Sequence, residues 1–257
     1  MVKPISRRKF IELAITGTAG AFLASCLGQQ PSTTSVPTSS PSPTPAQTLA
    51  AGPTLVRGQA VRNENRPDRN IRYFRSFVPP TPEEWRLAVS GLVREPLTLT
   101  FEDIQQLPVV EQVSRMVCVE GWSWKAAWTG FTLAALMEQA KPQLEGQFVR
   151  FTCGDGYWEA LPVEDLVRDR VLLAYRIDDG FLPDPYGSPL RLILPWKYGY
   201  KGPKCITDME FVSSLTPGYW PSLGPYTVHG DIQPGFDRPQ ETNTLERITE
   251  AGKEVTY

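Results

Sequence analysis

One cysteine of this 257-residue chain lies among small and aromatic residues that could form a metal site. Cys118 occurs in the run RMVCVEGWSW, residues 115–124, where Gly121 permits a tight turn and Trp122 and Trp124 could wall it. A thiolate is a soft ligand, so such a turn suits a soft or high-valent metal. The alternative is that Cys118 is a small buried hydrophobic side chain, as isolated cysteines often are. The residue types alone leave both interpretations open.

A loop rich in glycine and lysine supplies a second group of candidate residues. In the segment WKYGYKGPK, residues 196–204, Gly199 and Gly202 allow close approach of a backbone, while Lys201 and Lys204 bring positive charge. Glycine and lysine in one loop can form a cradle for an anion such as phosphate. The pattern therefore indicates an anion site without identifying the anion.

Both runs resemble segments of the sulfite oxidase family of molybdenum enzymes. The resemblance extends over RMVCVEGWSWKAAWTGFT, residues 115–132, and RLILPWKYGYKGPK, residues 191–204. It is closer to one subfamily, the heme-free catalytic subunits of periplasmic protein-methionine-sulfoxide reductases. The resemblance implies a molybdenum-molybdopterin cofactor, with Cys118 as the single protein ligand of molybdenum beside pterin sulfurs and oxo groups. It also implies an α+β, sulfite-oxidase-type molybdopterin-binding fold.

The same resemblance implies further contacts to the cofactor. In this family an irregular segment near the start of the folded domain holds the pterin, and here that segment would be residues 73–76. Arg75 and Ser76 offer planar and hydroxyl donors for it, although Arg75 could equally be a surface arginine in a loop. The positions expected to contact the cofactor are Tyr73, Phe74, Arg75, Ser76, Arg191, Gly202, Pro203 and Lys204.

Three positions of the resemblance leave their roles open. Tyr186 stands where the subfamily has an asparagine, and Cys153 stands where it has a threonine that contacts the pterin. Cys153 could line the cofactor pocket, pair with Cys205 in an oxidising compartment, or simply be buried. His229 lies in a segment similar to the subfamily's closing residues and is either a loop histidine or a proton-transfer group. The departures concern the substrate more than the cofactor.

The N-terminus has the features of an export signal. SRRKFI, residues 6–11, precedes an apolar stretch that resembles a twin-arginine signal, and a retained membrane anchor is the alternative. The stretch ends in LASC, which resembles a lipobox with Cys26 as the lipidated residue; ordinary cleavage is the alternative there. Residues 27–53, rich in Pro, Ser and Thr, predict a semi-extended linker. We therefore expect a signal at 1–26, a linker at 27–53 and one enzyme domain at 54–257, on the extracytoplasmic or periplasmic face.

Composition excludes several classes of function. The formal net charge is −2 and basic residues form no long runs, so nucleic-acid binding has no support. With one histidine, four scattered cysteines and no CxxCH run, the chain contains no heme site or histidine-rich zinc site. Electrons must therefore pass through a separate partner, such as a membrane heme protein. The subfamily resembled implies a monomer.

Hydrophobic spacing predicts a mixed α+β domain. Four segments predict strands: 85–93, 147–152, 190–194 and 206–211. Three predict helices: one that begins after Thr100 with a capping box, one over 131–140 and one over 163–167. Because the chain contains 25 prolines and 20 glycines, we expect mixed sheets with short helices and long loops.

The expected function is oxygen-atom transfer by an exported molybdenum enzyme. The resemblance implies reduction of S-oxides, with a small-molecule or protein S-oxide such as oxidised methionine as substrate. Oxidation of sulfite or a related sulfur oxyanion is an alternative, and a non-catalytic lipoprotein that keeps the fold as a binding module is another.

Overall fold

The computed structural model describes residues 74–257, which fold around two β-sheets. The expected export signal, the lipidation residue Cys26, the linker at 27–53 and the predicted cofactor contact Tyr73 lie outside the described residues. Within the described part, strands dominate and the helices are short. The expectation of an α+β domain with mixed sheets is confirmed.

The first sheet has five strands in the order β2-β1-β10-β5-β6. Strands β1 and β10 run parallel, and the remaining pairs are antiparallel. The strands are β1 (Leu87–Gly91), β2 (Leu97–Leu99), β5 (Phe148–Cys153), β6 (Trp158–Pro162) and β10 (Ile206–Val212). Three of the four strands predicted from the sequence are therefore confirmed here, within two residues at each end.

The second sheet is built around one long strand that follows the Cys118 turn. Its path is β12-β11-β4-β7-β8, with β3 paired to β4 and β9 paired to β7. The strands are β3 (Val110–Val117), β4 (Trp122–Phe131), β7 (Leu172–Ile177), β8 (Gly180–Phe181), β9 (Arg191–Ile193), β11 (Gly235–Pro239) and β12 (Glu246–Ile248). The predicted strand at 190–194 is confirmed as β9. The β3-β4 hairpin, which contains Cys118 at its turn, was not predicted.

The helices cap the sheets. They are α1 (Phe101–Gln105), α2 (Leu133–Ala140), α3 (Val163–Leu166) and α4 (Tyr219–Leu223). The predicted capping box is confirmed: the Asp103 backbone N–H donates to Thr100 Oγ1 at 3.1 Å and the Thr100 N–H donates to Asp103 Oδ2 at 2.8 Å. The start predicted for the second helix was wrong by two residues, because Phe131 still pairs in β4 before Thr132 caps α2.

The main apolar core joins the two sheets. It takes side chains from β1, β5 and β10 of the first sheet, from β4, β7 and β9 of the second, and from α1 and α2. Trp85 fixes the entrance to β1, because its indole N–H donates to the Ile206 carbonyl at 2.8 Å. Gly130 is required where β4 crosses β7, since a Cβ there would lie 2.0 Å from the Leu173 carbonyl oxygen. In residues 74–257, no helix combines the length and apolarity needed to cross a membrane.

Candidate functional site

A cavity of about 470 Å³ opens beside the turn that contains Cys118. This size is within the range of small-molecule and cofactor pockets. Its lining comes from the β3-β4 turn, the segment after β5, the loop between β9 and β10, and α4 with the residues that follow it. The lining residues are Phe74, Met116, Cys118, Val119, Glu120, Trp122, Asp155, Tyr157, Arg191, Gly199, Tyr200, Gly202, Lys204, Tyr219, Trp220 and Tyr226.

The hairpin turn fixes the position of Cys118. The Cys118 N–H donates to the Trp122 carbonyl at 2.8 Å, and the Gly121 N–H donates back to the Cys118 carbonyl at 3.1 Å. Gly121 has a φ of +87°, a conformation that L side chains rarely adopt. A glycine is therefore needed for the hairpin to present the thiol and the next two side chains to the cavity.

The surroundings of Cys118 favour the protonated thiol. Burial raises the pKa of Cys118 to about 12, and the nearby carboxylate of Glu120 contributes to the increase, while a backbone hydrogen bond at Glu120 opposes it. A metal ion displaces this proton, because only the thiolate is a good ligand. In the described residues, no group of three or more His, Cys, Asp or Glu side chains could hold a metal ion. A metal at Cys118 would therefore take its remaining ligands from outside residues 74–257.

The glycine-lysine loop packs directly against the end of β3. Tyr198 forms a parallel bridge with Val117, and a Cβ on Gly199 would be in ordinary contact with Met116 at 3.6 Å. At Gly202 a Cβ would lie 2.9 Å from the Leu192 carbonyl oxygen, so the close approach of this loop to β9 needs a glycine. The loop and the Cys118 turn are thereby brought to the same cavity.

Arg191 is a buried cation with unused hydrogen-bonding capacity. Its side chain is on a residue with 2 % of its surface exposed, and its guanidinium donates to the Tyr186 carbonyl at 2.8 Å and to Met116 Sδ at 3.2 Å. Among the residues that the structure describes, no acceptor is within reach of Nε. Burial lowers the pKa of Arg191 to about 10, so the group remains charged at neutral pH. A buried cation of this kind favours an anionic ligand.

Lys204 adds a second cation to the same cavity. An antiparallel bridge joins Arg191 to Lys204. Burial, together with repulsion from Arg191, lowers the pKa of Lys204 to about 8, while the carboxylate of Asp155 opposes the change. Asp155 itself accepts the N–H of Phe74 at 2.8 Å and that of Tyr157 at 3.0 Å. The cavity therefore has a positive side formed by Arg191 and Lys204.

The rest of the cavity wall is largely aromatic. Tyr219 lies at the centre of the group, with its ring edge-on to Phe74 at 4.2 Å and to Trp220 at 5.1 Å between centroids. Trp220 in turn contacts Tyr226 at 5.1 Å. Edge-to-face packing of this kind gives a rigid apolar surface. These walls suit the uncharged part of a ligand.

The loop that contains Gly202 is anchored beneath the cavity by a buried ion pair. Lys201 donates from Nζ to Glu159 Oε1 at 2.5 Å, and neither side chain has exposed surface. Burial raises the pKa of Glu159 and lowers that of Lys201, while their mutual attraction opposes both shifts. Such a pair stabilises a fold only when both partners are present.

The structure places half of the predicted cofactor contacts in the cavity wall. The predicted residues that line it are Phe74, Cys118, Arg191, Gly202 and Lys204. Five others do not line it: Arg75, Ser76, Cys153, Tyr186 and Pro203. Arg75 is exposed and its guanidinium lies 4.9 Å from the Phe74 ring centroid, so it supports that ring from outside.

Cys153 and Tyr186 are structural neighbours of the cavity. Cys153 is 3 % exposed, and both it and Cys205 are free thiols, so the possible disulfide is not formed in this structure. Tyr186 is also buried, packs edge-on against Trp124 and supplies the carbonyl that orients Arg191. Trp124 is part of that buried cluster as well and does not wall the turn. His229 is exposed, and its carbonyl accepts the Lys197 ammonium at 2.9 Å.

The aromatic side of the cavity was missed by sequence reasoning. Tyr157 is distant in the chain from Tyr219, Trp220 and Tyr226, and no local pattern marks any of the four. Glu120 and Trp122 had a usable signal, since they directly follow Cys118 in a hairpin turn. Had the turn been predicted, both side chains could have been placed beside the thiol.

Comparison with known proteins gives consistent results. Residues 76–220 match the model of a family described as the oxidoreductase molybdopterin binding domain. The chain is 33% identical over 184 residues to the protein-methionine-sulfoxide reductase catalytic subunit MsrP of Campylobacter jejuni, covering 64% of this chain and 62% of that protein. It is 32% identical to the MsrP of Ralstonia nicotianae and 33% identical to that of Burkholderia mallei, in each case over 184 residues, 65% of this chain and 56% of the relative.

The similarity to a solved structure concerns the fold alone. The sulfane dehydrogenase SoxCD of Paracoccus pantotrophus superposes with a TM-score of 0.51 at 21% sequence identity, over 54% of this chain and 41% of that one. The chain spans less than two thirds of the length of the curated relatives that it matches.

Proposed function

The chain belongs to the oxidoreductase molybdopterin-binding domain family, and from this premise we propose that it is a molybdenum-molybdopterin oxidoreductase that reduces S-oxides, such as methionine sulfoxide in exported proteins. Support comes from the MsrP relatives and from the meeting of a thiol, the buried Arg191, the half-buried Lys204 and an apolar wall in one cavity. The observation that carries the proposal is that Cys118 and the incompletely bonded guanidinium of Arg191 line the same cavity.

The residues present fit this cofactor. Cys118 offers a soft thiolate to molybdenum, and a single protein ligand agrees with a cofactor that supplies its own sulfurs. Arg191 and Lys204 offer positive charge to its phosphate, and Gly202 lets the backbone approach. Cys153, Tyr186, Pro203, Arg75 and Ser76 would support these groups from behind or from the rim rather than line the cavity.

The protein would bind and orient the cofactor and the substrate and would exclude water, while the cofactor would carry the redox chemistry. When bound, molybdenum-molybdopterin supplies oxygen-atom transfer, in which an S-oxide, two electrons and two protons become a sulfide and water. Cys118 would fix the metal at the end of the β3-β4 hairpin. Met116 and the Tyr186 carbonyl would hold the Arg191 guanidinium towards the anionic part of the cofactor. The aromatic walls would seat the apolar arms of the sulfoxide and exclude water.

We assign the other parts of the chain by the same proposal. The domain at 54–257 would act as a monomer on the extracytoplasmic face, after export by the twin-arginine route. Cys26 would carry a lipid anchor, and residues 27–53 would link it to the domain. Electrons would come from a separate partner, such as a membrane heme protein. The sequence features described above support these assignments.

The decisive experiment measures metal and turnover in the same samples. Wild-type protein is purified from an exporting cell and compared with Cys118→Ser and with the control Cys205→Ala, which alters a buried thiol outside the cavity. Molybdenum and pterin contents are measured, followed by sulfoxide reduction with a reduced dye as donor. We expect near-stoichiometric molybdenum and turnover in wild type and control, and loss of both in Cys118→Ser.

Two other outcomes would replace the proposal. Molybdenum-loaded protein that oxidises sulfite and leaves sulfoxides untouched would assign the oxidase activity instead. Wild-type protein without molybdenum, from a cell that matures other molybdenum enzymes, would assign a binding module. Unchanged molybdenum in Cys118→Ser would remove Cys118 from the ligand set.

A further inference from the structure

The hairpin turn places a carboxylate next to the proposed metal ligand. Cys118, Glu120 and Trp122 all line the cavity and belong to one five-residue segment. The indole N–H of Trp122 donates to Glu120 Oε2 at 3.0 Å, which holds the carboxylate in place. Two residues span at most about 7 Å between Cα atoms. The charge of Glu120 is therefore close to any substrate that reacts beside Cys118.

Glu120 shares the cavity lining with Tyr226. Its charge contributes to the raised pKa of Tyr226, after the larger effect of burial, and Cys118 acts on the same phenol. Since Tyr226 belongs to the aromatic wall formed with Trp220 and Tyr219, the carboxylate borders the same cavity as the thiol and that wall. A substrate arm seated on the aromatic rings would contact or closely approach Glu120.

The other charged side chains of the cavity are engaged elsewhere. Asp155 accepts two backbone N–H groups, those of Phe74 and Tyr157. Arg191 is bound to the Tyr186 carbonyl and to Met116, and Lys204 donates to the Pro185 carbonyl at 3.3 Å. In the proposed function these two cations serve the anionic part of the cofactor. Glu120, which is exposed, is then a negative charge that a substrate meets beside the aromatic wall.

We propose that Glu120 is a specificity-determining residue, which favours uncharged or cationic S-oxides and disfavours anionic ones. The inference rests on the proposed function and names the substrate class within it. An anion entering this cavity would lose its hydration between aromatic rings and next to a fixed carboxylate. A sulfoxide flanked by neutral or basic groups would lose little binding free energy in the same position. A flanking ammonium could also contact the aromatic rings.

The test compares three capped pentapeptides with a central methionine sulfoxide, flanked by two lysines, two glutamines or two glutamates. The values of kcat/KM are measured with a reduced dye for molybdenum-loaded wild type and Glu120→Gln. We expect wild type to prefer the lysine peptide over the glutamate peptide by about tenfold or more. In Glu120→Gln this ratio should fall to within about threefold, because kcat/KM for the glutamate peptide rises.

Control variants separate a local charge effect from a change in net charge or in folding. Glu138→Gln removes the same charge from an exposed position of α2 and should keep the wild-type ratio. Glu120→Asp keeps the charge and should also retain the preference. Molybdenum content is measured for every variant, so that rates refer to loaded enzyme.

A binding measurement makes the inference independent of turnover. Trp122 and Trp220 line the cavity, so their fluorescence can report titration with the corresponding methionine peptides. In wild type the Kd should be lowest for the lysine peptide and highest for the glutamate peptide. In Glu120→Gln the differences between the three Kd values should become smaller. An unchanged charge order in Glu120→Gln, or an equal change for all three peptides, would overturn the role of Glu120. If no sulfoxide is reduced by wild type, the proposed function fails, and the titration still decides whether Glu120 selects by charge.

Discussion

Lys201 Nζ lies 2.5 Å from Glu159 Oε1 in a position where neither side chain has exposed surface. The pair joins β6 to the loop that contains Gly202 and Lys204. Two glycines pack on it: a Cβ at Gly218 would lie 2.1 Å from Glu159 Oε1, and one at Gly230 would lie 2.2 Å from Lys201 Cγ. The ion pair is thus a junction of the cofactor loop, the start of α4 and the segment after it.

Lys201→Met should destabilise the protein strongly, because it leaves Glu159 buried without its partner. Removal of one member of a buried pair costs about 3–5 kcal/mol. The double variant Glu159→Gln, Lys201→Met should recover part of that loss. Urea unfolding measures the free energy of unfolding of the single and the double variant. Lys141→Met removes the exposed lysine of the Lys141–Glu95 pair, 3.6 Å apart, and should change the free energy of unfolding by less than about 1 kcal/mol. Equal effects of Lys201→Met and Lys141→Met would contradict the assigned role.

Arg191→Gln should lower the pterin content of the purified protein by about tenfold or more, since one charged hydrogen-bonding group to an anion is lost. Arg191→Lys should lose less, because the charge remains while the planar fork is lost. Pterin released from denatured protein is quantified by its fluorescence after oxidation. Arg176→Gln removes a half-buried arginine of β7 that does not line the cavity and should match wild type. Full pterin content in Arg191→Gln would show that the guanidinium does not bind the cofactor.

Lys204 should make the stability of cofactor-free protein depend on pH. Its pKa is lowered to about 8 in the folded state, chiefly by burial, against about 10.4 in the unfolded chain. Folding therefore releases a proton between these values, so stability rises with pH across this window. Lys204→Met should be more stable than wild type at pH 7. The gap between their free energies of unfolding should narrow as pH rises from 8 to 10. Urea unfolding at each pH measures it, and a gap that widens in this window would refute the shift.

Cys26→Ser should release the exported protein from the membrane without preventing export. The proposed lipid chains are the only anchor in the proposal, and two or more chains are needed for durable attachment. Fractionation of cells and mass spectrometry of the N-terminal peptide measure this. Cys205→Ala should stay in the membrane fraction. Membrane retention of Cys26→Ser at the wild-type level would point to a different anchor.

The parts of the site that were predicted from the sequence are those whose residues are neighbours in the chain. Cys118, Gly202 and Lys204 lie in short runs of distinctive composition, and the structure places all three in the cavity wall. The aromatic side could not be predicted, because Tyr157 and Tyr219 meet only after the strands have paired. Pairing between distant segments leaves no local periodicity.

The missed hairpin has a related physical cause. Strand β4 alternates between buried and more exposed positions from Trp124 to Gly130, but Ala126 and Ala127 are small apolar residues on opposite faces, so apolar and polar residue types do not alternate cleanly. Strands β1 and β10 alternate more regularly and were predicted within two residues. Segment 190–194 was identified from its continuous apolar run, which is typical of a fully buried strand.

The parallel pairing of β1 with β10 also bears on how the chain reaches its folded form. Ala88 pairs with Asp208, so the first sheet cannot close until most of the polypeptide has been synthesised. Contacts between residues so distant in sequence slow folding, because the entropy of closing the intervening loop is lost first. The glycine-lysine loop directly precedes β10, and closure of this sheet therefore also completes the cofactor cradle. Cofactor insertion and the last stage of folding should consequently be coupled events.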